Sequence, residues 1–86
     1  MIEKKNFPKI LVVEDEAIVA YDLVLMLEKY GYPVCGKVLS GEDALKHMEE
    51  DKPDMVFLDI ILAGGIDGIE TGEIIRSQYG IPFVYI

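Results

Sequence analysis

Short apolar runs alternate with helix-like segments along this chain, and the alternation constrains the fold more than any other feature. The apolar runs have the length and composition of buried strands and occupy residues 9–13, 33–38, 55–58 and 81–86. The intervening segments have apolar residues at helical spacing, which predicts helices over residues 16–30, from Ser40 to about Asp51, and over 69–79. Strands that alternate with helices form right-handed βαβ crossovers. The sequence therefore predicts the α/β class, with a doubly wound parallel sheet and helices on both of its faces.

The first predicted helix has apolar residues at offsets of 4, 7, 8 and 11 positions, which share one face of a helix. The predicted inward stripe consists of Val19, Leu23, Met26, Leu27 and Tyr30. Gly31 follows directly, and glycine readily adopts the left-handed conformation that ends a helix. We therefore expect this stripe to pack against the sheet and the helix to stop at Gly31.

Polar residues and glycines mark the ends of the other two predicted helices. Ser40, followed by Asp43 three positions later, resembles a capping box and predicts the start of the second helix. The predicted inner face of that helix consists of Ala44, Leu45 and Met48. Asp67 is the predicted N-cap of the third helix, and Gly80 is its predicted left-handed end.

The acidic balance of the chain excludes several classes of function. Sixteen Asp and Glu against eight Lys and Arg give the 86 residues a net charge of −8, which repels nucleic-acid phosphates and anionic lipid. We therefore expect no direct nucleic-acid or membrane binding by this segment. No apolar run approaches the roughly 20 residues of a membrane span, and no signal peptide is recognisable. The single cysteine, Cys35, is expected to be an inert core residue and fits a reducing, cytoplasmic setting.

Three carboxylates follow directly on predicted strands. Glu14 and Asp15 end the first strand and Asp59 ends the third, so the side chains converge if these strands are neighbours. Two carboxylates about 4 Å apart repel by roughly 4 kcal/mol at an effective dielectric constant of about 20. Such a cluster requires a cation or a raised pKa. Oxygen ligands with room for water suit Mg²⁺, which also bridges readily to phosphoryl oxygens, so the sequence predicts a magnesium site for phosphoryl chemistry.

Other candidate motifs have simpler explanations. His47 lies mid-helix among charged residues and is expected to be solvated. Gly64-Gly65 lacks the Lys-Ser/Thr of a Walker phosphate loop, and Asp67-Gly68 lacks the alternating acidic ligands of an EF-hand. Turn and N-cap chemistry is sufficient to explain the Asp67-Gly68 pair.

Three segments of the chain resemble the signature segments of the response-regulator receiver domain. In chain order they are Ile10-Leu11-Val12-Val13-Glu14-Asp15-Glu16, Pro53-Asp54-Met55-Val56-Phe57-Leu58-Asp59-Ile60 and Asp67-Gly68-Ile69-Glu70. The Gly31-Tyr32 helix end and the Ile81-Pro82-Phe83-Val84 strand are also similar to that family. The resemblance covers the chain from about Lys9 onward, so we expect residues 1–86 to be a single receiver domain with an N-terminal extension at 1–8. It implies a flavodoxin-like sheet with strand order 2-1-3-4-5.

The resemblance also implies roles for the acidic residues. Asp59 would be the phosphoacceptor, taking its phosphoryl group from a phosphohistidine on a sensor histidine kinase or a phosphotransfer protein. Asp15 and Asp59 would bind Mg²⁺ directly, and Glu14 would act through water. The backbone carbonyl of Ile61 would be a further ligand. Such a domain acts in two-component phosphorelay signalling and catalyses only its own phosphorylation and dephosphorylation, so we do not expect an enzyme.

The chain departs from the family pattern in one loop and at its end. Between Asp59 and Gly68 it has one residue more than usual, with Ala63 in place of a proline, which predicts a longer and more pliable loop. The switch Ser or Thr, the last helices and the fifth strand with its Lys have no counterpart before Ile86, so the chain resembles a fragment. We expect the segment 83–86 to form an exposed apolar edge and one sheet face to be bared, a surface through which a homodimer could form.

Two alternatives follow from the same residues. A pseudo-receiver would keep the fold as a protein-interaction module without phosphotransfer. The retained Glu14, Asp15 and Asp59 argue against it, and the absent Lys and hydroxyl argue for it if the chain ends at Ile86. A haloacid-dehalogenase-like phosphatase also uses an Asp nucleophile at a strand end. That family requires a second Asp two residues later, where this chain has Ile61, so no carboxylate general acid is available and the phosphatase is not expected.

Overall fold

The structure is a computed structural model that describes residues 7–62 and 64–86. The described strands form one parallel sheet in the order β2-β1-β3-β4. In chain order the elements are β1 (Ile10–Val13), α1 (Ala17–Lys29), β2 (Val34–Val38), α2 (Gly41–Glu50), β3 (Met55–Leu58), α3 (Gly68–Ile74), a π-helical turn (Ile75–Tyr79) and β4 (Phe83–Tyr85). The α/β class and the order of these strands are therefore confirmed, and the described residues contain no fifth strand. No helix among them is long and apolar enough to cross a membrane.

The helices cover the two faces of the sheet. One core cluster packs the sheet against α2 and the end of the third helix; it consists of Leu11, Val13, Ala44, Met48, Val56, Leu58, Leu62, Ile75 and Ile81. A second cluster on the other face packs Ile10 and Val12 against Ala20 and Leu27 of α1. All four residues of β1 are buried, because the strand lies between β2 and β3 and under helices on both sides. This explains why every residue of β1 is apolar.

The inward face of α1 differs from the predicted stripe. Leu27 is buried as expected, but Val19, Met26 and Tyr30 are 44%, 50% and 65% exposed, and Ala20 takes the central inward position instead. The helix is apolar around most of its circumference, so spacing alone does not determine which stripe meets the sheet. The small Ala20 side chain allows a close approach of α1 to β1, and that part of the prediction was wrong.

The predicted helix ends are confirmed. The Ser40 Oγ accepts a hydrogen bond at 3.1 Å from the amide three positions later and begins α2. Asp67 caps α3 in the same way, because its Oδ1 accepts a hydrogen bond from the amide of Glu70 at 2.8 Å. Gly31 and Gly80 have φ angles of 91° and 63°, a left-handed conformation that costs strain for any residue with a Cβ. These local signals determine where the helices begin and end.

The third helix is not the uniform helix that the sequence predicted over 69–79. Its first seven residues are α-helical, and its last turn, Ile75–Tyr79, is π-helical. The amide of Gly80 donates to the carbonyl of Ile75, five positions earlier, at 3.0 Å. This widened turn leads into the left-handed Gly80, and the spacing of apolar side chains does not distinguish it from an α-helical turn.

β4 is shorter than the strand predicted over 81–86. Pro82 has no amide hydrogen to donate to a strand ladder, and Ile81 is buried in the core instead of extending the strand. Among the described strands, β4 pairs with β3 alone, and residues 84–86 are 38% to 46% exposed. The predicted exposed apolar edge is therefore present over residues 84–86, whereas Phe83 is half-buried against the core.

Candidate metal centre at the carboxyl edge of the sheet

The predicted carboxylates converge where β1 and β3 end. The two strands are direct neighbours with Val13 opposite Leu58, and the amide of Asp59 donates to the carbonyl of Val13 at 3.0 Å. One carboxylate oxygen from each of Glu14, Asp15 and Asp59 lies within 4.8 Å of the other two. The structure thus brings together all three acidic residues that the sequence singled out.

Glu14 is the buried member of this group, at 5% exposure. Its amide donates to the carbonyl of Val38 in β2 at 3.0 Å, and its Oε2 accepts a hydrogen bond from the amide of Glu16 at 3.0 Å. Burial, more than any other cause, raises the pKa of Glu14 above its ordinary value, and the neighbouring Asp59 raises it further. A cation held among the three carboxylates would relieve this penalty on the charged form.

Asp59 has one carboxylate oxygen anchored by the backbone. Its Oδ1 accepts a hydrogen bond from the amide of Ile61 at 3.1 Å, and the residue is half-buried. The Ile61 side chain is 78% exposed, so the contribution of this residue comes from its backbone. A carboxylate fixed through one oxygen can use the other oxygen as a metal ligand or a nucleophile. The carbonyl of Ile61 stays a predicted ligand.

Gly68 brings the start of α3 against the chain that follows β3, a contact that the sequence did not reveal. Its amide donates to the carbonyl of Ile60 at 2.9 Å. A Cβ on Gly68 would lie 2.1 Å from the backbone oxygen of Asp59 and 2.5 Å from that of Ile60. Only glycine allows this approach. The Asp-Gly pair at a helix start indicated a cap, but not that the glycine also packs closely against the backbone of Asp59 and Ile60.

Glu42 of α2 holds the loop that connects β3 to α3. Its Oε2 accepts a hydrogen bond from the amide of Ile66 at 3.0 Å. A Cβ on Gly65 would lie 2.4 Å from the same oxygen, so the missing side chain makes room for this contact. No local pattern predicts a bond between residues 24 positions apart. The predicted pliable loop also contains Ala63, which lies outside the described residues.

His47 is not the solvated helix residue that the sequence predicted. Its ring is half-buried against β2, where Nε2 lies 3.3 Å from the carbonyl oxygen of Cys35. The imidazole fits there because Gly36 has no side chain. Within residues 7–62 and 64–86, Cys35, His47 and Asp51 form a second group of potential metal ligands, away from the carboxyl edge that holds the acidic group.

The donor set at the carboxyl edge fits a hard divalent cation. Glu14, Asp15 and Asp59 supply oxygen atoms alone, which are the donors that Mg²⁺ prefers. Asp15 and Asp59 are half-buried rather than enclosed, which leaves space for the water ligands that Mg²⁺ usually retains. The arrangement can therefore hold a cation beside a carboxylate nucleophile.

Glu14→Gln is expected to change how the stability of the metal-free protein depends on pH. A carboxyl group whose pKa is raised in the folded state favours folding below the ordinary glutamate pKa of about 4.3 and loses that contribution as the pH rises through the folded pKa. The charged Glu14 therefore destabilises the metal-free fold at neutral pH. Glutamine keeps the hydrogen bond to the Glu16 amide without the charge. Urea unfolding in EDTA should show the variant gaining stability relative to the wild type between about pH 4 and pH 7.

Glu28→Gln, at an exposed position on α1, is the matched control and should follow the wild type at every pH. If Mg²⁺ binds among the three carboxylates, we expect excess Mg²⁺ to reverse this order, because loss of a residue that orients a metal ligand weakens metal affinity by about 10- to 100-fold. A Glu14→Gln protein whose stability paralleled that of the wild type across this range would contradict the burial penalty at Glu14.

Comparison with known proteins identifies the family. The family model of the response regulator receiver domain matches residues 10–86, from the first residue of β1 onward. This chain therefore belongs to the receiver domain family of response regulators, as its motifs predicted. Receiver domains are signalling domains of two-component systems and interact with kinases or other proteins.

Three similar proteins have longer chains, of which this sequence covers only a part. The transcriptional regulatory protein PdtaR of Mycobacterium tuberculosis is 35% identical over 78 residues, which make up 91% of this chain and 38% of PdtaR. The receiver domain of a modulated diguanylate cyclase from Desulfovibrio desulfuricans has a TM-score of 0.88 at 34% identity, covering 93% of this chain and 64% of that one. The response regulator PhyR from Brucella abortus has a TM-score of 0.85 at 34% identity, covering 92% of this chain and 32% of PhyR. This chain thus spans about two fifths of PdtaR and about a third of PhyR.

Proposed function

We propose that this domain is a phosphoacceptor in a two-component phosphorelay and that Asp59 receives the phosphoryl group. The observation that carries the proposal is the grouping of three carboxylates within 4.8 Å where β1 and β3 end, with Asp59 anchored through one oxygen. The donor would be a phosphohistidine on a sensor histidine kinase or a phosphotransfer protein. We place this exchange in the cytoplasm, within a single receiver domain that has an N-terminal extension at residues 1–8.

Asp59 would act as the nucleophile through its second carboxylate oxygen. That oxygen attacks the phosphorus, the P–N bond to the donor histidine breaks, and the imidazole leaves with the electron pair. The product is an aspartyl phosphate on Asp59. The amide of Ile61 holds the other oxygen and orients the carboxylate during the attack.

The acidic residues would also hold the metal that this chemistry uses. Asp15 and Asp59 would bind Mg²⁺ directly, and Glu14 would act through water. The backbone carbonyl of Ile61 would complete the protein ligands. Bound Mg²⁺ neutralises negative charge on the oxygens of a transferring phosphoryl group. The raised pKa of Glu14 supports a cation in this position, because the charged form is unfavourable without one.

A pseudo-receiver that binds partner proteins without phosphotransfer is the second candidate. An exposed apolar surface favours it: Val19 and Met26 of α1 line a groove together with Ile86, and these side chains are 44% to 50% exposed. Such a surface suits a protein partner or a second copy of this chain. Glu14 lines this groove and also belongs to the acidic group, whereas Asp59 is not among the residues that line the groove. A substitution of Asp59 therefore removes the proposed phosphoacceptor without changing the lining of the groove.

The phosphoacceptor proposal is tested by intact-mass spectrometry of the full-length protein. The protein is incubated with acetyl phosphate in the presence of Mg²⁺ or of EDTA. We expect the mass of one phosphoryl group to appear with Mg²⁺ and not with EDTA. Borohydride reduction converts an aspartyl phosphate to homoserine, so peptide mapping should then locate the conversion at Asp59.

A folded, full-length protein that gains no phosphoryl mass under these conditions, and none from a histidine kinase, would support the pseudo-receiver instead. Circular dichroism on the same sample establishes that the protein is folded. A phosphoryl group mapped to a residue other than Asp59 would contradict the assignment of the phosphoacceptor.

A further inference from the structure

Cys35, His47 and Asp51 form a compact group of unlike ligands that the proposed phosphotransfer does not use. One potential ligand atom from each residue lies within 4.8 Å of the other two. Cys35 comes from the start of β2, and the other two come from the last turn of α2 and its C-cap. The group therefore lies at the amino edge of the sheet, at the opposite end of the strands from Asp59.

A β-bulge orients Cys35 toward this group. Ile10 pairs with Val34 and Leu11 pairs with Gly36, so Cys35 is an extra residue in β2 with no partner in β1. As a result, Cys35 and Gly36 both face α2, whereas successive residues of a regular strand point to opposite faces. The bulge places the Cys35 thiol beside the end of α2.

Gly36 provides the space in which His47 approaches Cys35. A Cβ on Gly36 would lie 2.6 Å from Nε2 of His47 and 3.1 Å from Cδ1 of Leu11. Any larger residue would therefore displace the imidazole. Glycine within a strand commonly marks a bulge or a close approach of another group, and here it marks both.

The hydrogen bonding of His47 determines which of its nitrogens can bind a metal. Nε2 lies 3.3 Å from the carbonyl oxygen of Cys35, and a carbonyl only accepts, so Nε2 carries the hydrogen. Nδ1 then has the free lone pair. Nδ1 is buried and has no hydrogen-bond partner among the described residues, an arrangement that is unfavourable unless something binds there. Metal-binding histidines usually donate their other ring nitrogen to a carbonyl in this way.

We propose that Cys35, His47 and Asp51 bind a divalent d-block ion of the zinc type, with water at the remaining position. Thiolate, imidazole and carboxylate are the donors that Zn²⁺ takes in proteins, and three protein ligands with one open position is a common arrangement. The ligand atoms of a tetrahedral zinc site are roughly 3.5 Å apart, given bond lengths of about 2.0 to 2.3 Å. Asp51 is exposed at the helix end and can rotate inward to reach that spacing. The thiol releases its proton to solvent as the sulfur–metal bond forms.

Lys9 is the competitor for this site. Its Nζ lies 2.6 Å from Oδ1 of Asp51, and this ion pair neutralises the carboxylate without a metal. A bound cation takes over the role of the ammonium group. Removing the ammonium group should therefore make Asp51 more available to the metal. A Lys9 variant without the charge is expected to bind the metal ion more tightly than the wild type.

The test is a Co²⁺ titration of the full-length protein in excess Mg²⁺, which is added to compete with Co²⁺ for the acidic group at the carboxyl edge. Co²⁺ bound to a thiolate gives a sulfur-to-cobalt charge-transfer band in the near ultraviolet, and Zn²⁺ should displace it. We expect the band in the wild type and its loss in Cys35→Ser and His47→Gln. Glu50→Gln, next to Asp51, and Asp59→Asn are controls that should keep the band. Lys9→Met should bind Co²⁺ several-fold more tightly.

Three results would overturn the proposal. A folded wild type with no thiolate band at saturating Co²⁺ would show that the group binds no such ion. A band that persists in folded His47→Gln would show that the cysteine acts alone. Unchanged Co²⁺ affinity in Lys9→Met would show that Asp51 is not a ligand. Circular dichroism of each variant, which must match the wild type, separates loss of a ligand from loss of the fold.

Discussion

Asp59→Asn is expected to abolish incorporation of the phosphoryl group from acetyl phosphate in Mg²⁺. The amide has the shape of the carboxylate and can still accept the hydrogen bond from the Ile61 amide, so the fold is expected to persist. It lacks the second anionic oxygen that would attack phosphorus. Intact-mass spectrometry should show no gain in mass. The same substitution removes one of three carboxylates within 4.8 Å and should stabilise the metal-free protein by about 1 to 3 kcal/mol in urea unfolding with EDTA.

Asp43→Asn is the matched control for this prediction. Asp43 is an exposed aspartate in the first turn of α2 and is not one of the three clustered carboxylates. Its variant should take up one phosphoryl group to the same extent as the wild type and should not gain the stability expected for Asp59→Asn. If Asp59→Asn still gained the mass of a phosphoryl group, Asp59 would not be the phosphoacceptor.

Gly68→Ala is expected to cause the largest loss of stability of any single methyl addition that we propose. The new Cβ would lie 2.1 Å from the backbone oxygen of Asp59, and a backbone atom cannot rotate away as a flexible side chain can. Overpacking typically costs about 1 to 3 kcal/mol and occasionally more, so we expect a loss of at least about 3 kcal/mol. Relief of the clash would move the start of α3 away from Asp59. Phosphoryl incorporation should therefore fall together with the free energy of unfolding.

Gly80→Ala separates this clash from the general cost of replacing a glycine. Gly80 has a φ of 63°, and nothing lies within 4 Å of the position of its Cβ. The expected loss is the left-handed strain alone, about 1 to 2 kcal/mol, with phosphoryl incorporation unchanged. Equal losses in urea unfolding for the two variants would contradict the close approach at Gly68.

Some parts of the fold were predictable because one physical requirement determines them. A strand buried on both faces has to be apolar throughout, which made β1 recognisable. Parallel pairing then places the residues after each strand at one edge, so the convergence of Glu14, Asp15 and Asp59 followed from topology. The caps at Ser40 and Asp67 were predictable for a similar reason, because each is a bond between residues three positions apart.

The parts that were not predictable depend on contacts between distant residues. Because α1 is apolar around most of its circumference, its own sequence allows more than one face to pack inward. Packing against the sheet selects the face that contains Ala20. The bond from Glu42 to the loop before α3 has no local signature. A glycine within a predicted strand, as at Gly36, is consistent with a bulge, but the glycine alone does not indicate that His47, 11 positions later, packs against it.

The central position of β1 has a consequence for the rate of folding. Ile10 pairs in parallel with Val34, 24 positions away, and with Met55, 45 positions away. Parallel neighbours cannot be joined by a tight hairpin, so each pairing requires a long loop to close. The entropy of closing that loop is lost before any contact between the strands forms, which slows folding. The β1-α1-β2 unit closes the shorter loop, so we expect it to form before β3 joins. Amide hydrogens of β1, a strand buried between β2 and β3, should exchange with solvent more slowly than those of β4, which has one neighbouring strand among the described residues.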